Sequence, residues 1–528
     1  MAFDLSFLNV FEGVLATASA ESDALHAAIA ALDTSPRTIW IARTVTLAGI
    51  FDVPRSAILS FAPGARLILD DGARFTLWGF LDAGLETCFE LRDGASLALL
   101  GPLEEIVADW WAMTGGVSPV ARALDALWTP YQHDGEGVLP APIRLDGPYG
   151  LNETLRVVPP DGFGRIEVIL RGSHGRPSDP PTFVRGPLAL DLLSLVSIEK
   201  GVVLTMEHVA FDLDPTTREG RDSPASGVGA CLSLEEEFSG SRVEACAFRF
   251  DGDAIQVAPR VQYWQEQITR VGLSAGLAGA LALGDAVRLS VFKPARLAVS
   301  RCVFTGTSPH ARGIVTELGI PTSLAVRDSQ FVGRYANAIS VLGGDVDLVG
   351  CQFANTLSTS ESRTLPADVI TRSWDAGVDI NEVGKNINGV LPERLVRNIP
   401  SGFNIYQGRP LANTHLTITH CVSTSAIFLI LNPAFSSADT IAGGAVLTAV
   451  RHFPAVDGGP SVMVGRLAEP RSVMMQGCRF GRSVTFDPST LVGVVVDLGT
   501  VFVPPPGTTA GFLFAGVGVG PTVTMTDF

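Results

Sequence analysis

The chain has 528 residues and a net charge of −16, with 46% hydrophobic and 17% charged residues. This apolar content excludes intrinsic disorder over most of the length, and the acidic balance argues against a nucleic-acid partner, because phosphate backbones repel it. The first twenty residues lack the basic region and apolar core of a Sec signal, and no apolar run reaches the roughly 20 residues of a membrane helix. We therefore expect a protein without a membrane span, made in the cytoplasm and either part of an assembled particle or exported by another route.

Two short helices are predicted near the front of the chain. The first covers about Ser22 to Leu32, with its apolar residues on one face. The second begins at Ser118, a good N-cap residue, with Pro119 at the first helical position. Extended segments follow each helix, for example residues 57–61 and 166–170. The front of the chain therefore repeats one plan, a helix followed by strands.

Seven short segments further along the chain end in nearly the same way. Each closes an alternating apolar stretch, and most consist of a small residue, a variable residue and Phe: Val209-Ala210-Phe211, Cys246-Ala247-Phe248, Cys302-Val303-Phe304, Ser329-Gln330-Phe331, Cys351-Gln352-Phe353, Cys421-Val422-Ser423 and Cys478-Arg479-Phe480. Only the sixth departs, with Ser423 in the place of Phe. A strand-like unit that recurs but cannot bury its own apolar face predicts a solenoid, in which equivalent residues of successive coils stack.

The predicted fold is all-β, a right-handed single-stranded parallel β-helix with short N-terminal capping helices. Five of the seven cysteines occupy the small position of the repeat, so we expect them to be reduced and buried. No C-x-x-C pair or Cys–His metal spacing is found in the sequence, which predicts neither a metal nor a cofactor.

Three regions are expected along the chain. They are an N-terminal head module over residues 1–115, the β-helix over 116–435, and a C-terminal β module over 436–528 that caps the last coil or forms oligomers. Two insertions, near residues 259–294 and 355–410, interrupt the repeat. Long insertions on a solenoid often carry its function.

A family resemblance supports this fold. Residues 44–84, which begin TVTLAGIFDVPRSAIL, and residues 147–175, GPYGLNETLRVVPPDGFGRIEVILRGSHG, resemble the first coils of the pectate-lyase-like superfamily, which has polygalacturonase-like members. Residues 107–127, VADWWAMTGGVSPVARALDAL, are similar to the segment before the capping helix of phage tailspike-like members, although TGGVSPV replaces their acidic DGxxDDT run. The resemblance implies a polysaccharide as ligand or substrate and a homo-oligomer, commonly a trimer.

Enzymes of this superfamily are lyases, with an Arg or Lys base and commonly calcium, or hydrolases with carboxylates on one outer face. Asp345 and Asp347 alternate with apolar residues, so both are predicted to point outward on one face, and Asp328 lies one coil earlier. The functional interpretation is a carboxylate cluster. The alternative is a solvated strand face without a catalytic role.

The second insertion supplies the other catalytic candidates. It is the most polar insertion in the chain, and its Arg-x-x-Arg pair has the spacing with which some lyases place a base. The candidates are Asp375, Asp379, Arg394 and Arg397.

Two classes of function follow from these observations. The first is a structural or binding protein, a spike, fibre or shell component that self-associates and contacts surface polysaccharide. The thin supply of five Tyr and seven Trp and the apolar C-terminal strands favour it. The second is a polysaccharide lyase or glycoside hydrolase acting on a cell-surface or acidic glycan, and calcium would have a role only in the lyase.

Overall fold

The computed structural model describes residues 7–9, 18–32, 36–112, 117–134, 141–159, 165–173, 180–185, 194–199, 201–213, 230–234, 238–257, 295–309, 311–316, 322–342, 344–361, 366–372, 414–431, 443–464, 473–486, 493–497, 499–514 and 522–526. The chain divides into two compact units. One consists of Met1–Leu155 and Pro159–Phe183, and the other consists of Arg156–Val158 and Val184–Phe528.

In the first unit, short strands form successive coils. The described coils contain Arg37–Ile41, Val45–Leu47 and Ile50–Val53, then Ala57–Phe61, Leu67–Leu69 and Arg74–Leu77, then Phe80–Asp82, Phe89–Leu91 and Ser96–Leu99. Each strand pairs in parallel with its equivalent in the next coil, as in the register Val45↔Leu67↔Phe89. Buried residues alternate with more exposed ones along most of these strands, because one strand face lines the interior.

A helix covers the first of these coils. It spans Ala18–Ala30, starting four residues before its predicted position, and it buries Leu25 and Ala28. Glu21 lies in the first turn of the helix, and Ser22 directly follows it. Their side chains accept hydrogen bonds from the backbone N–H groups of Thr46 (2.5 Å) and Ala48 (2.8 Å), and these bonds cover a strand edge that would otherwise be unpaired.

The second predicted helix is confirmed at Pro119–Asp134, and the Ser118 hydroxyl accepts the backbone N–H of Val120 at 3.3 Å, as expected of an N-cap. The repeated plan of a helix followed by strands is therefore present. The remaining elements up to residue 185 are Phe7–Asn9, Ile106–Val107, the 3₁₀ turn Ala108–Trp110, Ile143–Leu145, Tyr149–Leu151, Leu155–Val157, Ile166–Gly172 and Thr182–Arg185.

The second unit is built from three parallel sheets, and each coil contributes one strand to each sheet in turn. Sheet I contains Val202–Glu207, Ser241–Glu244, Ala295–Ser300, Thr322–Arg327, Gly344–Val349, Thr414–Thr419, Gly443–Thr448, Val473–Gln476, Gly493–Asp497 and Thr522–Thr526. Sheet II contains Ala210–Asp212, Ala247–Phe250, Val303–Thr307, Gln330–Arg334, Gln352–Asn355, Val422–Ser423, Arg451–His452, Arg479–Phe480 and Val501–Phe502. Sheet III contains Ser194–Ile198, Ala230–Leu234, Asp253–Val257, Arg312–Thr316, Asn337–Leu342, Ala367–Arg372, Leu429–Leu431, Val462–Val464, Val484–Phe486 and Phe512–Phe514.

The predicted parallel β-helix is thus confirmed, while its right-handed sense stays a prediction that the usual twist of parallel crossovers favours. The same three sheets continue beyond residue 435. The strand Ala367–Arg372 belongs to sheet III, although it lies inside the insertion predicted over residues 355–410.

One residue per coil makes the bend from sheet I to sheet II. This residue has a positive φ, between 48° and 66°, and it directly precedes the small residue of the repeat. The residues are His208, Ala245, Arg301, Asp328, Gly350, His420, Ala449 and Gly477. Because a left-handed residue turns the chain sharply within one position, the small residue that follows is directed into the interior.

The predicted interior layers are present. The rings of Phe211, Phe248, Phe304, Phe331 and Phe353 stack in sequence, with centroids 4.5 to 5.2 Å apart and planes within 11° of parallel. All seven cysteines are buried and free. In the five that belong to the repeat, the thiol lies 3.3 to 3.6 Å from the carbonyl two residues earlier and 3.4 to 3.8 Å from a carbonyl of the preceding coil. The small position therefore also suits a weak hydrogen-bond donor.

Candidate functional site

The stack of phenylalanines is interrupted in the interior of two adjacent coils. The register of sheet II places Ser423 directly after Phe353, then His452, and only then Phe480. Phe428, at the start of the sheet III strand, fills the space that the small Ser423 leaves, with its ring edge-on to Phe353 at 5.9 Å. In two earlier coils the equivalent position of sheet III is occupied by Gly313 and Ala338. Large and small residues have therefore exchanged positions between the two sheets.

This exchange accompanies a buried polar network centred on Asp368. The carboxyl group of Asp368 accepts a hydrogen bond from the Tyr335 hydroxyl at 2.9 Å and another from the Ser423 hydroxyl at 2.6 Å. All three residues are fully buried. Ser423 can make this contact because a phenylalanine at its position would present carbon where Asp368 needs a donor.

Asn355 connects the network to the backbone of Tyr335 and Leu357 and to the side chain of Ser425. Its side-chain nitrogen donates to the carbonyl of Tyr335 at 2.6 Å, and its side-chain oxygen accepts the backbone N–H of Leu357 at 3.0 Å. The backbone N–H of Asn355 donates to the Ser425 hydroxyl at 3.0 Å. These bonds satisfy buried polar groups that would otherwise be costly.

His452 extends the network by one coil. Its Nε2 lies 2.9 Å from the carbonyl oxygen of Ser425, which can only accept, so Nε2 is assigned the proton. Its Nδ1 lies 2.8 Å from the Ser461 hydroxyl, which also accepts the backbone N–H of Arg482 at 3.1 Å. The neutral imidazole thus has a partner at each nitrogen.

Burial shifts the ionisation of these groups away from charge. It raises the pKa of Asp368 to about 7, although hydrogen bonds from Ser423, Ser425 and Tyr335 act in the opposite direction. It lowers the pKa of His452 to about 4, and it raises the pKa of the Tyr335 hydroxyl well above its ordinary value. The buried environment therefore disfavours the charged form of each of these groups. Because every member is buried, it holds coils together and presents no surface to a ligand.

The outward aspartates lie where the sequence predicts them. Asp345 is exposed and Asp347 is half-buried, while Val346 and Leu348 between and after them are buried. Asp347 pairs with Arg327 at 3.5 Å. Asp328 is exposed at the left-handed bend, where its carboxylate lies over Gly350 of the next coil. The structure thus shows a charged strand face, and a catalytic role for it stays a prediction.

The other candidates, Asp375, Asp379, Arg394 and Arg397, lie outside the described residues. Within the described part of the chain, no group of three or more His, Cys, Asp or Glu side chains is arranged to hold a metal ion. Neither described helix has the length and apolar character that a membrane crossing needs.

A second candidate is a surface directly above the network. On sheet II, Val422, Arg451, Arg479 and Val501 lie in register on adjacent strands, and all four are exposed. Phe453 and Val503 lie on the same face, two residues beyond Arg451 and Val501. We call these six residues the C-terminal patch. Its four apolar members are between 40% and 50% exposed.

The strands of the patch join the two features. Ser423 and His452, which belong to the network, alternate with Val422, Arg451 and Phe453, which belong to the patch. The interior polar bonds therefore hold two of the four strands that carry the patch. Comparisons with models of protein families, with curated proteins and with solved structures find no match for this chain.

Sequence reasoning found only part of these two features. The departure at Ser423 was visible in the repeat, but Asp368 fell within a predicted insertion. The segment Val450-Arg451-His452 is a further copy of the repeat, with His in the place of Phe. Thr500-Val501-Phe502 is another copy, but no clear alternation of apolar and polar residues precedes it in the sequence. The first of these copies keeps the spacing of the repeat, with the ring of His452 in the place of Phe.

Proposed function

We propose that this protein is a structural β-helix, a spike, fibre or shell-type component that associates with further copies of itself through the C-terminal patch. The observation that supports the proposal is the distribution of exposed apolar side chains. Of the ten large ones among the described residues, five lie between residues 422 and 513, and four of those share one face of sheet II. Exposed apolar side chains gathered on one face are typical of an interaction site.

The lyase or hydrolase alternative has less support. Its described candidates are Asp328, Asp345 and Asp347, and Asp347 already contacts Arg327.

Four exposed apolar residues are too small an interface by themselves, since stable contacts bury about 800 Å² per partner. The patch would therefore form the centre of a larger contact, in which fully desolvated aromatic and arginine residues contribute most of the binding energy.

The test is the molar mass of the protein in solution over a wide range of concentrations. We expect an oligomer for the wild-type chain, and a shift toward monomer for the variant Phe453→Ser/Val503→Ser. The matched control is Phe80→Ser, which removes another exposed phenylalanine, in the first unit. A wild-type chain that stays monomeric at every concentration would refute the proposal. Release of unsaturated or reducing sugar from acidic glycans would support the enzyme instead.

A further inference from the structure

Arg451 and Arg479 are an unusual pair on the face of sheet II. The register places them directly opposite each other on adjacent parallel strands, where strands are about 4.8 Å apart. Both side chains are exposed, and neither has an ion pair or side-chain hydrogen bond among the described residues. Like charges directly opposite each other destabilise a sheet, so this pair costs stability within one copy of the chain.

Several other outward arginines of the same unit contact carboxylates. Arg249 lies in register with Asp212 and its Nη1 contacts that carboxylate at 3.1 Å. Arg334 contacts Glu361 at 3.6 Å, and Arg327 contacts Asp347. Each of these three arginines is balanced by a carboxylate, whereas among the described residues no carboxylate contacts Arg451 or Arg479.

We propose that Arg451 and Arg479, with Phe453 beside them, receive a carboxylate-rich surface of a second copy of this chain. This inference rests on the proposed self-association and names the chemistry of its contact. Charge complementarity favours a second copy as the occupant, because every copy has 54 acidic residues against 38 basic ones. Guanidinium groups bind carboxylates through paired hydrogen bonds, while the phenylalanine and the flanking valines exclude water.

The sharpest test is the single variant Arg451→Glu. It places a glutamate opposite Arg479, so it converts a repulsive in-register pair into an attractive one within the monomer. We expect the variant, studied at a concentration where it is monomeric, to unfold at a higher denaturant concentration than the wild-type monomer. At the same time we expect self-association, measured by sedimentation equilibrium, to weaken by about tenfold or more.

The matched control is Arg242→Glu, which makes the same change of charge at an exposed arginine that lies on sheet I, in an earlier coil than the C-terminal patch. It should leave association unchanged. Wild-type association should also weaken as salt concentration rises, because the contact is between charged groups at a surface.

The outcomes separate the inference from the function on which it rests. A monomeric wild-type chain would overturn both. Association that is strong in the wild type, insensitive to salt and unchanged by Arg451→Glu would overturn this inference alone and leave self-association standing. If polygalacturonate binds the wild type and not Arg451→Glu, while self-association is the same for both, the occupant is an acidic glycan and the second copy is wrong.

Discussion

Asp368 and His452 respond to pH in opposite directions, although they belong to one network. The pKa of Asp368 is raised from 3.8 to about 7, so the folded protein binds a proton that the unfolded chain has lost. Its stabilising effect is complete below about pH 4 and is lost as pH rises to about 7. The pKa of His452 is lowered from 6.5 to about 4, so its effect is present above pH 6.5 and is lost as pH falls to about 4. In the whole protein the two effects partly cancel.

The variant Asp368→Asn separates them. An amide resembles the protonated carboxyl group in shape and can still accept from Tyr335 or Ser423, but it does not titrate. We expect the free energy of unfolding of the variant to improve relative to wild type as pH rises from about 4 to about 7, by up to about 4 kcal/mol at the extreme. Denaturant titrations at a series of pH values measure this difference.

The second variant, His452→Phe, is the control for the other direction. It removes the imidazole, so its stability relative to wild type should improve as pH falls from about 6.5 to about 4. A difference between Asp368→Asn and wild type that is constant across the pH range would show that Asp368 does not titrate there.

At the level of the strand, the exchange of Ser423 and Phe428 shows how the coil tolerates a break in its repeat. Phe331 faces Ala338 within its coil, whereas Ser423 shares its coil with Phe428, so each coil has one large residue and one small residue at these two positions. Packing density is conserved while the large side chain changes sheets. Ser423, which follows Phe353 in the stack, supplies one of the donors that Asp368 requires.

This exchange predicts strongly non-additive substitutions. Ser423→Phe alone should destabilise by about 1–3 kcal/mol or more, because it overpacks the coil beside Phe428 and removes a donor from Asp368. The double variant Ser423→Phe/Phe428→Ala restores the arrangement of Phe331 and Ala338, so it should recover part of that loss. A double-mutant cycle of unfolding free energies measures the coupling. If the two single effects simply add, the two positions do not share one space.

Much of the strand architecture could be predicted because its physical cause is local. A small residue after a sharp bend and a phenylalanine two residues later recur in the sequence, and the buried thiols and stacked rings follow from them. The network could not be predicted in the same way. Asp368, Tyr335 and Ser423 are separated by up to 88 residues in the chain and meet only because coils stack, so no local pattern marks their contact.

The C-terminal patch could not be predicted from the sequence either. Val422, Arg451 and Val501 occupy the variable position of the repeat, where the interior imposes no choice of residue. Their proximity becomes apparent only once the register between coils is known. A sequence predicts the interior of a solenoid better than its faces, because burial constrains residue type and exposure does not.

For the whole second unit, the linear core has a consequence for stability. Each coil contacts only its neighbours, so a defect in one coil weakens the two interfaces that it shares and leaves distant coils intact. The free, buried cysteines make this local weakening measurable, because a buried thiol reacts with an alkylating reagent only when its coil opens. Cys302 and Cys351 lie in the coils on either side of Phe331, while Cys88 lies in the first unit and serves as an internal reference.

We therefore expect Phe331→Ala, which removes a fully buried ring at a cost of about 3–5 kcal/mol, to increase alkylation of Cys302 and Cys351 under native conditions. Cys478 and Cys88 should be modified as slowly as in the wild type. Phe502→Ala, at a half-buried position of a later coil, is the matched control and should leave Cys302 protected. Mass spectrometry of the labelled peptides resolves each thiol. Equal acceleration at every cysteine would mean that the coils unfold as one cooperative block, because only then does a local cavity lower the opening free energy everywhere.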